Sequence, residues 1–510
     1  MTLRIALFTM ILALLPACDD DSGTGNNTNN VNNTNNVNNT NNTNNVNNTN
    51  NVNNTNNVNN TNNVNNINNI TFETTIEVGP GLALTDPCEV NWESLTPSTL
   101  VLIHYRAEPY RCKFALATAG TAEAPLVVRG VPAPSGDLPV ITGEDALTPL
   151  ALDYWNEVRS VVKVGGVSHS SDFPSYISIE NLEIRSARPA YDFTDDSGSA
   201  QTFVENAAAI HVEEGDHITV RGCTLTDSGN GFFAGSASSY LLLEGNYIHG
   251  NGIEGSIYEH NNYTESDHIT FQYNHFGPLR DGCPGNNLKD RSKGTVIRFN
   301  WIEAGNRTID LVDSDYEDFY NDPAYAQTHV YGNILIKHDV EENGQVLHYG
   351  GDSGDFTRYR KGTLWFYNNT VISYRSGNTT LLGISSGDES AVCFNNVIYA
   401  TAGGTYMAIS GGEGIIALEN NWLPTGWREV HGSNNGTITP LDNIEETDPG
   451  FTDFSGGDYT LGGTSDAIDG GRALEAALAS YPLSRQYLIH QSSEPRPVAG
   501  ANDPGAFEHP

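Results

Sequence analysis

The chain has 510 residues, which is long for one ordinary domain unless the fold is a repeat or a barrel. Acidic residues number 62 against 25 basic ones, and the formal net charge is −37. This charge excludes general binding to nucleic acids or anionic membrane surfaces, because like charges repel. An anionic substrate would therefore need a local cationic patch.

The first residues, MTLRIALFTMILALLPACDDD, predict export. Arg4 precedes an apolar run over residues 5–15, which is too short to span a bilayer and is typical of a secretory signal. The run ends in Leu-Pro-Ala-Cys, which resembles the lipidation box of bacterial lipoproteins. The resemblance implies a lipid on Cys18 and a membrane-anchored protein, in the periplasm or at the cell surface. An ordinary signal peptide with a chance cysteine is the alternative.

An Asn-rich tract follows the signal. Residues 26–70 are fifteen triplets of Asn-Asn-X, in which X is Thr, Val or Ile. Without charged or aromatic residues, the tract cannot bury enough apolar surface to offset its ordering entropy. We predict a signal peptide over residues 1–17, a disordered spacer over 18–70 and a folded domain over 71–510. Aggregation of the tract as β-structure is the alternative.

Five further cysteines follow Cys18, and export permits disulfides. Cys88 and Cys112 flank one short segment and are the best candidate pair. No Cys-x-x-Cys occurs, so no zinc site is expected. The sequence leaves open the partners of Cys223, Cys283 and Cys393.

From about residue 160 the chain repeats a short phrase of alternating apolar residues, an Asn, and an apolar residue two positions on. It recurs as LLLEGNYIHG, ITFQYNHFG, TVIRFNWIE, HVYGNILIK, LWFYNNTVI, AVCFNNVIY and IALENNWLP. Cys223 occupies the same slot in ITVRGCTLT, and successive markers are 23 to 36 residues apart. The Asn markers are Asn246, Asn274, Asn300, Asn333, Asn369, Asn396 and Asn421.

Short units with period-two alternation and Gly, Asn or Asp turns predict a β-solenoid. We predict an all-β parallel β-helix, in which each coil pairs with the next. The Asn markers would adopt the left-handed conformation at a tight bend and hydrogen-bond to one another in a ladder. A propeller is the alternative, although its repeats are longer.

Two segments carry a family resemblance. Residues 95–132, LTPSTLVLIHYRAEPYRCKFALATAGTAEAPLVVRGVP, resemble the opening coil of right-handed parallel β-helix proteins of the pectate-lyase-like superfamily. The end of the chain, DPGFTDFSGGDYTLGGTSDAIDGG with NDPGAFEHP, resembles their closing motif. The resemblance covers most of residues 75–510 and implies their fold. It leaves the activity open, because the superfamily includes lyases, hydrolases, epimerases, adhesins and phage proteins.

Ionisable residues recur at one phase of the repeat. A step of fifteen residues from the first four Asn markers reaches Asn261, Lys289, Asp315 and His348, whereas the step from two later markers reaches Ile384 and Gly411. Because adjacent coils lie about 4.8 Å apart, residues at one phase would be neighbours. We therefore predict a patch on four coils that contains His260, Asn261, Lys289, Arg291, Asp310, Asp313 and His348.

This patch suits β-elimination on a uronate, which needs a base for the proton beside the carboxylate and a cation for the carboxylate. We predict Lys289 as the base, with Arg291 favouring its neutral form and binding the carboxylate. His260 or His348 is the predicted proton donor. NNLKDRS resembles the Lys-containing strand motif of some alginate- and chondroitin-type lyases. Those families place an Arg on the next coil, where this chain has TIDLVDSD and Arg307 is the nearest substitute.

Aromatic rings can stack on sugars, and polar neighbours can bind them. The predicted substrate-binding residues are Asn261, Tyr258, Tyr263, Arg307 and Tyr349. Calcium prefers carboxylate oxygens, and the predicted calcium ligands are Asp310, Asp313 and Asp315. No organic cofactor is expected.

These features predict a monomeric polysaccharide lyase that cleaves an acidic glycan. A glycoside hydrolase that uses the three aspartates as acid and base is one alternative. A non-catalytic glycan-binding or adhesion protein is another, because the tether and the acidic body suit it equally well. Each residue alone could also be part of an exposed ion pair or a solvated loop.

Overall fold

The computed structural model describes residues 70–168, 170, 172–340 and 343–510. The predicted signal peptide, the lipidation site Cys18 and the Asn-rich spacer up to residue 69 lie outside the described residues. Among the described residues, no helix has both the length and the apolar character needed to cross a membrane.

Nearly all regular structure is β-strand, since the repeats alternate β-branched and aromatic residues with small polar ones. The strands of the first half are β1 (Thr74–Val78), β2 (Thr99–His104), β3 (Phe114–Leu116), β4 (Leu126–Val131), β5 (Val140–Thr142), β6 (Ala146–Leu147), β7 (Ser160–Val164), β8 (Ser175–Glu180), β9 (Glu183–Arg185), β10 (Asp192–Thr194), β11 (Ala200–Thr202), β12 (Ala208–Arg221), β13 (Thr224–Thr226), β14 (Asn230–Glu244), β15 (Tyr247–Ile248), β16 (Asn262–Thr264), β17 (Asp267–Gln272), β18 (His275–Phe276) and β19 (Leu288–Asp290).

The second half continues the same pattern. Its strands are β20 (Lys293–Arg298), β21 (Trp301–Glu303), β22 (Ile309–Leu311), β23 (Gln327–Tyr331), β24 (Ile334–Lys337), β25 (Gln345–Tyr349), β26 (Gly362–Tyr367), β27 (Thr370–Ser373), β28 (Thr379–Ile384), β29 (Glu389–Phe394), β30 (Val397–Ala400), β31 (Met407–Ser410), β32 (Ile415–Glu419), β33 (Trp422–Pro424), β34 (Thr437–Leu441), β35 (Ile444–Glu446), β36 (Phe451–Asp453), β37 (Asp458–Leu461), β38 (Arg485–Leu488) and β39 (Ser492–Pro495). The helices are α1 (Glu317–Tyr320) and the short 3₁₀ helices Pro87–Glu89, Trp92–Ser94, Glu157–Arg159, Pro323–Ala326, Gly404–Tyr406, Phe454–Gly456 and Ala476–Leu478.

The strands pair in three long parallel ladders, one for each face of the coil. Ladder 1 runs β3-β7-β12-β14-β16-β19-β22-β25-β28-β31. Ladder 2 runs β1-β2-β4-β8-β12-β14-β17-β20-β23-β26-β29-β32-β34. Ladder 3 runs β5-β9-β13-β15-β18-β21-β24-β27-β30-β33-β35. This mostly-β, parallel-stranded architecture is the predicted right-handed parallel β-helix.

The interior is filled by apolar side chains that stack from coil to coil. On ladder 2 the paired positions from β17 to β32 are all buried and carry Phe271, Ile297, Val330, Phe366, Cys393 and Leu418. Because side chains alternate along a strand, every such inward position leaves its neighbours facing outward. The free thiol of Cys393 is therefore part of the core, as is that of Cys223.

The predicted Asn ladder is confirmed. The Nδ2 atom of Asn274 donates to Oδ1 of Asn300 at 3.0 Å, and the same bond recurs between successive markers from Asn246 to Asn443. The backbone N–H of Cys223 extends the ladder by donating to Asn246. The prediction that the Asn markers themselves adopt the left-handed conformation is wrong by one position. The residue before each marker adopts it, such as Asn368 at φ 50°.

Cys88 and Cys112 form a disulfide with Cα atoms 5.6 Å apart, which joins the segment before β2 to ladder 1's first coil. Cys223, Cys283 and Cys393 are free. The hairpins β36–β37 and β38–β39 are antiparallel. They contact the outer side of ladder 3, where Tyr459 stacks on Trp301.

Candidate functional site

One column of ladder 1 brings ionisable residues from successive coils together. Tyr263 pairs with Lys289, Lys289 with Asp310, Asp310 with His348, and His348 with Gly383. Parallel pairing in register places these side chains about 4.8 Å apart on one face. We call Lys289, Arg291, Asp310, His348 and their contacts the ladder-1 cluster.

Alternation along the strand decides which residues join the cluster. Asp290 faces the interior and is fully buried, where it accepts hydrogen bonds from Thr264, Ser292 and Thr295. Its neighbours Lys289 and Arg291 consequently face outward on the same side, as predicted from their spacing.

Lys289 lies between two carboxylates. Its Nζ atom is 2.5 Å from Asp352 Oδ2 and 3.4 Å from Asp310 Oδ2. The prediction that Arg291 favours a neutral amine did not include these carboxylates. As a base, Lys289 would first have to leave this pairing with Asp352.

Arg291 shares the same carboxylate. Its Nη2 atom is 3.0 Å from Asp352 Oδ1, its Nε donates to the hydroxyl of Tyr263 at 3.1 Å, and its Nη1 donates to the carbonyl of Asp313. Asp352 therefore bridges the two cations with its two oxygens. Burial opposes the charge on Asp352, but Lys289 and Arg291 lower the pKa of its carboxyl.

Asp310 is the buried centre of the cluster. It accepts hydrogen bonds from His348 Nδ1 at 2.7 Å, from Arg307 Nη1 at 3.1 Å and from Asn286 Nδ2 at 2.6 Å. Burial would raise the pKa of Asp310, yet the bond from His348 and the charges of Lys289 and Arg307 hold it well below its usual range. The residue is an anion that orients its neighbours.

His348 has partners on both ring nitrogens. Nδ1 contacts Asp310, and Nε2 lies 2.9 Å from the Oγ atom of Ser385. In the neutral ring, the proton on Nδ1 is bonded to Asp310, which leaves Nε2 as an acceptor.

His260 differs from His348 in its surroundings. It is buried, and its Nδ1 atom accepts the backbone N–H of Asn286 at 2.9 Å. Burial and the charge of Lys289 lower the pKa of His260 to about 3. The ring is therefore neutral near pH 7 and poorly suited to donate a proton.

Two predicted substrate-binding residues face away from the groove. Tyr349 is fully buried in the core, because it follows outward-facing His348 on the same strand. Asn261 is also fully buried and belongs to a second short Asn ladder, donating to Asn287 at 2.9 Å and accepting from Asn251 at 2.9 Å. Both predictions are wrong, and both residues are structural.

Of the other three predicted substrate-binding residues, two contact the ladder-1 cluster and one does not. Tyr263 packs beside Lys289, whose Nζ atom is 5.7 Å from the ring centroid. Arg307 binds Asp310 and donates to Gln345 at 2.9 Å. Tyr258 is 73% exposed on the segment before β16 and does not pair on ladder 1.

The predicted calcium ligands do not fit one ion. The carboxylate of Asp310 is already bound by cations, and Asp313 Oδ1 accepts the N–H groups of Asp352 and Ser353. The side chain of Asp315 is 63% exposed. Within the described part of the chain, the one group of three close His, Cys, Asp or Glu ligand atoms is at Asp86, Cys88 and Cys112, two of which form the disulfide.

Sequence reasoning missed two members of the cluster. Asp352 lies four residues after His348 and directly follows Gly350-Gly351. It is in a loop, where the repeat of the strands does not predict which residues are neighbours. Ser385 was missed by one position, since the fifteen-residue step from Asn369 ends at Ile384.

No family model matches this chain, and no curated protein matches it. Among solved structures, an alginate lyase from Paenibacillus sp. str. FPU-7 is 12% identical over 72% of this chain and 99% of that chain, with a TM-score of 0.44. Pectate lyase Pel9A is 12% identical over 86% of this chain and 98% of its own, with a TM-score of 0.46. The Streptococcus pneumoniae surface protein and adhesin PfbA is 11% identical over 68% and 89%, with a TM-score of 0.36. At these identities and TM-scores, the likenesses do not distinguish an enzyme from an adhesin.

Proposed function

We propose that this chain is a polysaccharide lyase that cleaves an acidic glycan by β-elimination. The observation that carries the proposal is the bridge in which Asp352 binds both Lys289 and Arg291. The Arg291 guanidinium, which already holds the Asp352 carboxylate beside Lys289, can hold a uronate carboxylate in the same way. On a chain of net charge −37, Lys289, Arg291 and Arg307 supply the local cations that an anionic substrate requires once it displaces Asp352.

The substrate carboxylate takes the position of Asp352 on Arg291. Neutralisation of that carboxylate makes the proton on the adjacent carbon more acidic. Lys289, after its own extra proton has passed to solvent, accepts that carbon-bound proton. The electron pair forms a carbon–carbon double bond, the glycosidic C–O bond breaks, and the leaving oxygen takes a proton.

His348 supplies that last proton. It lies one coil beyond Asp310 in the column, and Asp310, 2.7 Å from its Nδ1 atom, orients the ring. His260 is less suited, because its ring is buried and its pKa is lowered to about 3. Tyr263 and Arg307 border the cluster and contact the sugar.

The aspartate-based hydrolase fits the cluster less well. A general acid must carry a proton near neutral pH, whereas the pKa of Asp310 is held well below its usual range by His348, Lys289 and Arg307 against the effect of burial. Asp313 is committed on one side only: Oδ1 accepts two backbone N–H groups, whereas Oδ2 is buried without a hydrogen-bond partner among the described residues. No catalytic step is assigned to calcium, because the residues predicted to bind it do not converge.

We also propose that the protein is exported and anchored through Cys18. The signal-like segment and the lipobox-like sequence support this part of the proposal. Replacement of Cys18 by Ala should move the protein from the membrane fraction to the soluble fraction of cells. Retention of the variant with membranes would contradict the lipid anchor.

The activity test uses the purified protein with alginate, pectate and chondroitin, each with and without added Ca²⁺. Elimination produces an unsaturated uronate, whose ultraviolet absorbance rises with time. Lys289→Ala should lower the rate by at least about 100-fold, because a general base contributes 10²–10⁴. Lys293→Ala is the matched control, since Lys293 is also bound to two carboxylates, Asp267 and Asp322, but lies on ladder 2.

Each other outcome has a defined meaning. New reducing ends without ultraviolet absorbance would replace the lyase with a hydrolase. Retained binding of a polysaccharide without any product would favour a non-catalytic glycan-binding or adhesion protein. Equal loss of elimination in both lysine variants would remove the assignment of Lys289.

A further inference from the structure

The ladder-1 cluster contains a hydrogen-bonded chain whose last member, Ser385, has no role in elimination. His348 Nδ1 is 2.7 Å from Asp310 Oδ1, and His348 Nε2 is 2.9 Å from Ser385 Oγ. A hydroxyl beside an imidazole that a buried carboxylate orients is the arrangement of nucleophilic serine catalysis. Both distances lie within hydrogen-bond reach.

The roles within this chain are set by burial and charge. Asp310 is fully buried and accepts from Arg307, Asn286 and His348, so it remains an anion. It thereby fixes the His348 proton on Nδ1 and stabilises the imidazolium that forms when Nε2 takes a proton. Nε2 is consequently directed at the hydroxyl of Ser385.

Glycines make room for this contact. A Cβ atom at Gly350 would lie 2.5 Å from both Cβ and Oγ of Ser385, so a side chain there would displace the serine. Gly383, the register partner of His348 on the next coil, makes room for a different side chain, since a Cβ atom there would lie 2.5 Å from the amide of Gln345. Gly351 holds the hydroxyl in place: its N–H donates to Ser385 Oγ at 3.0 Å, and its carbonyl oxygen, 3.1 Å away, is a second acceptor for the hydroxyl proton beside His348 Nε2.

We propose that Ser385 is the nucleophile of an esterase activity that removes O-acyl groups from a polysaccharide bound in this groove. This activity is separate from elimination, although both use His348. Ser385 is half-buried rather than sealed, in contrast to Asp310, and so remains open to substrate.

The reaction balances with water as the other reactant. Ser385 Oγ attacks the carbonyl carbon of the ester while His348 Nε2 takes the hydroxyl proton. His348 returns that proton to the departing sugar oxygen, which leaves an acyl group on Ser385. Water then attacks the acyl carbon, gives a proton to His348, and releases the carboxylic acid with the serine restored.

The first test is covalent labelling of the full-length protein with a fluorophosphonate, which transfers its phosphonyl group to an activated serine with loss of fluoride. We expect one adduct, located on Ser385 by peptide mass spectrometry, and none in Ser385→Ala. Ser386→Ala is the matched control and should still label, because the Ser386 hydroxyl donates to Glu389 at 2.7 Å instead. Labelling that persists in Ser385→Ala, or an unlabelled wild type, would overturn the proposal.

The second test measures acetate released from O-acetylated pectin or alginate. We expect release by the wild type and by Ser386→Ala, and a loss of at least about 100-fold in Ser385→Ala and in His348→Asn. Circular dichroism checks that each variant is folded, and Ser385→Gly, which also lacks the hydroxyl, replaces Ser385→Ala if that variant does not fold. No acetate from the folded wild type also counts against the esterase. Elimination is read separately on de-esterified polymer, so failure of one activity is distinguishable from failure of the other.

Discussion

The two ends of ladder 1 carry the same kinds of side chain in different surroundings. Lys163 and His211 lie on β7 and β12, in the column that continues through β14 and β16 to Lys289 and His348. Lys163 is fully buried and donates to the carbonyl of Trp155 at 2.5 Å. Lys163 also pairs with Glu213 at 3.2 Å, whereas Lys289 meets its two carboxylate partners, Asp310 and Asp352, at a partly open surface.

The histidines differ more than the lysines do. Nδ1 of His211 is buried and has no hydrogen-bond partner within the described residues. Burial, with the charges of Arg159 and Lys163, lowers the pKa of His211 well below its usual range, so the ring is neutral and inert. His211 Nε2 lies 3.5 Å from Glu213, whereas His348 has a carboxylate at 2.7 Å on one nitrogen and a hydroxyl at 2.9 Å on the other. Residue type and strand position therefore identify candidate catalytic residues. The hydrogen-bond partners and the exposure of each side chain determine whether it can act in catalysis.

Replacement of the two lysines should separate activity from stability most strongly. Lys289→Ala should lower elimination by at least about 100-fold. Lys163→Ala should leave elimination nearly unchanged. It should lower the free energy of unfolding by about 3 kcal/mol, because it removes the buried cation that pairs with Glu213. Elimination rates and urea denaturation are measured for both variants. Loss of activity in Lys163→Ala without loss of stability would contradict the assignment of Lys163 as a purely structural residue.

Asp310→Asn should weaken the cluster in a pH-dependent way. Hydrogen bonding from His348 and the charges of Lys289 and Arg307 depress the folded-state pKa of Asp310 despite its burial. The stabilisation is therefore fully present above the unfolded pKa near 4 and is lost as pH falls through the lower folded value.

The wild type should exceed Asp310→Asn by about 3 kcal/mol at pH 7, and the difference should shrink below about pH 4. Denaturation midpoints measured across this pH range provide the check. A difference that grows on acidification would show that Asp310 is not the anion at the centre of the cluster.

Asp352→Asn should ease substrate entry, because it removes a carboxylate that competes for Lys289 and Arg291. A partly exposed ion pair contributes up to about 1 kcal/mol, so KM should fall by up to about fivefold. Asp355→Asn is the control on the same loop, since Asp355 pairs with Arg358 at 3.4 Å. A rise in KM would mean that Asp352 assists binding rather than competing with it.

His211→Leu should have the smallest effect. Replacing a buried, partly unsatisfied polar ring with an apolar side chain can be nearly neutral, so we expect a change within about 1 kcal/mol. Elimination should be unaffected, whereas His348→Leu should abolish it. Loss of activity in His211→Leu would show that the catalytic groove extends along the whole ladder.

Much of the fold could be predicted because its determinants are local and repeated. Each coil carries its own alternation and its own Asn, and a buried Asn amide finds its partner on the next coil wherever the phrase recurs. The predicted position of the left-handed residue is wrong by one. The bend of the chain requires the left-handed conformation at the residue before the hydrogen-bonding Asn.

The site was less predictable because coils differ in length. The fifteen-residue step reached Lys289 and His348, both of which lie in the column. It reached Asn261 and Asp315 where the column holds Tyr263 and Asp310. A shift by one position also changes the side on which a residue lies, which is why Tyr349 could not be separated from His348 by sequence. Asn261 lies two positions before Tyr263 and just outside β16, so strand alternation does not determine its side.

The most direct test is a crystal structure of the Lys289→Ala variant with a tetrasaccharide of whichever acidic polymer the wild type consumes. We expect a uronate carboxylate bonded to Arg291 in place of Asp352, with the scissile oxygen within hydrogen-bond distance of His348 Nε2. A sugar bound elsewhere on the β-helix, with Asp352 still paired to Arg291, would contradict a shared groove on ladder 1.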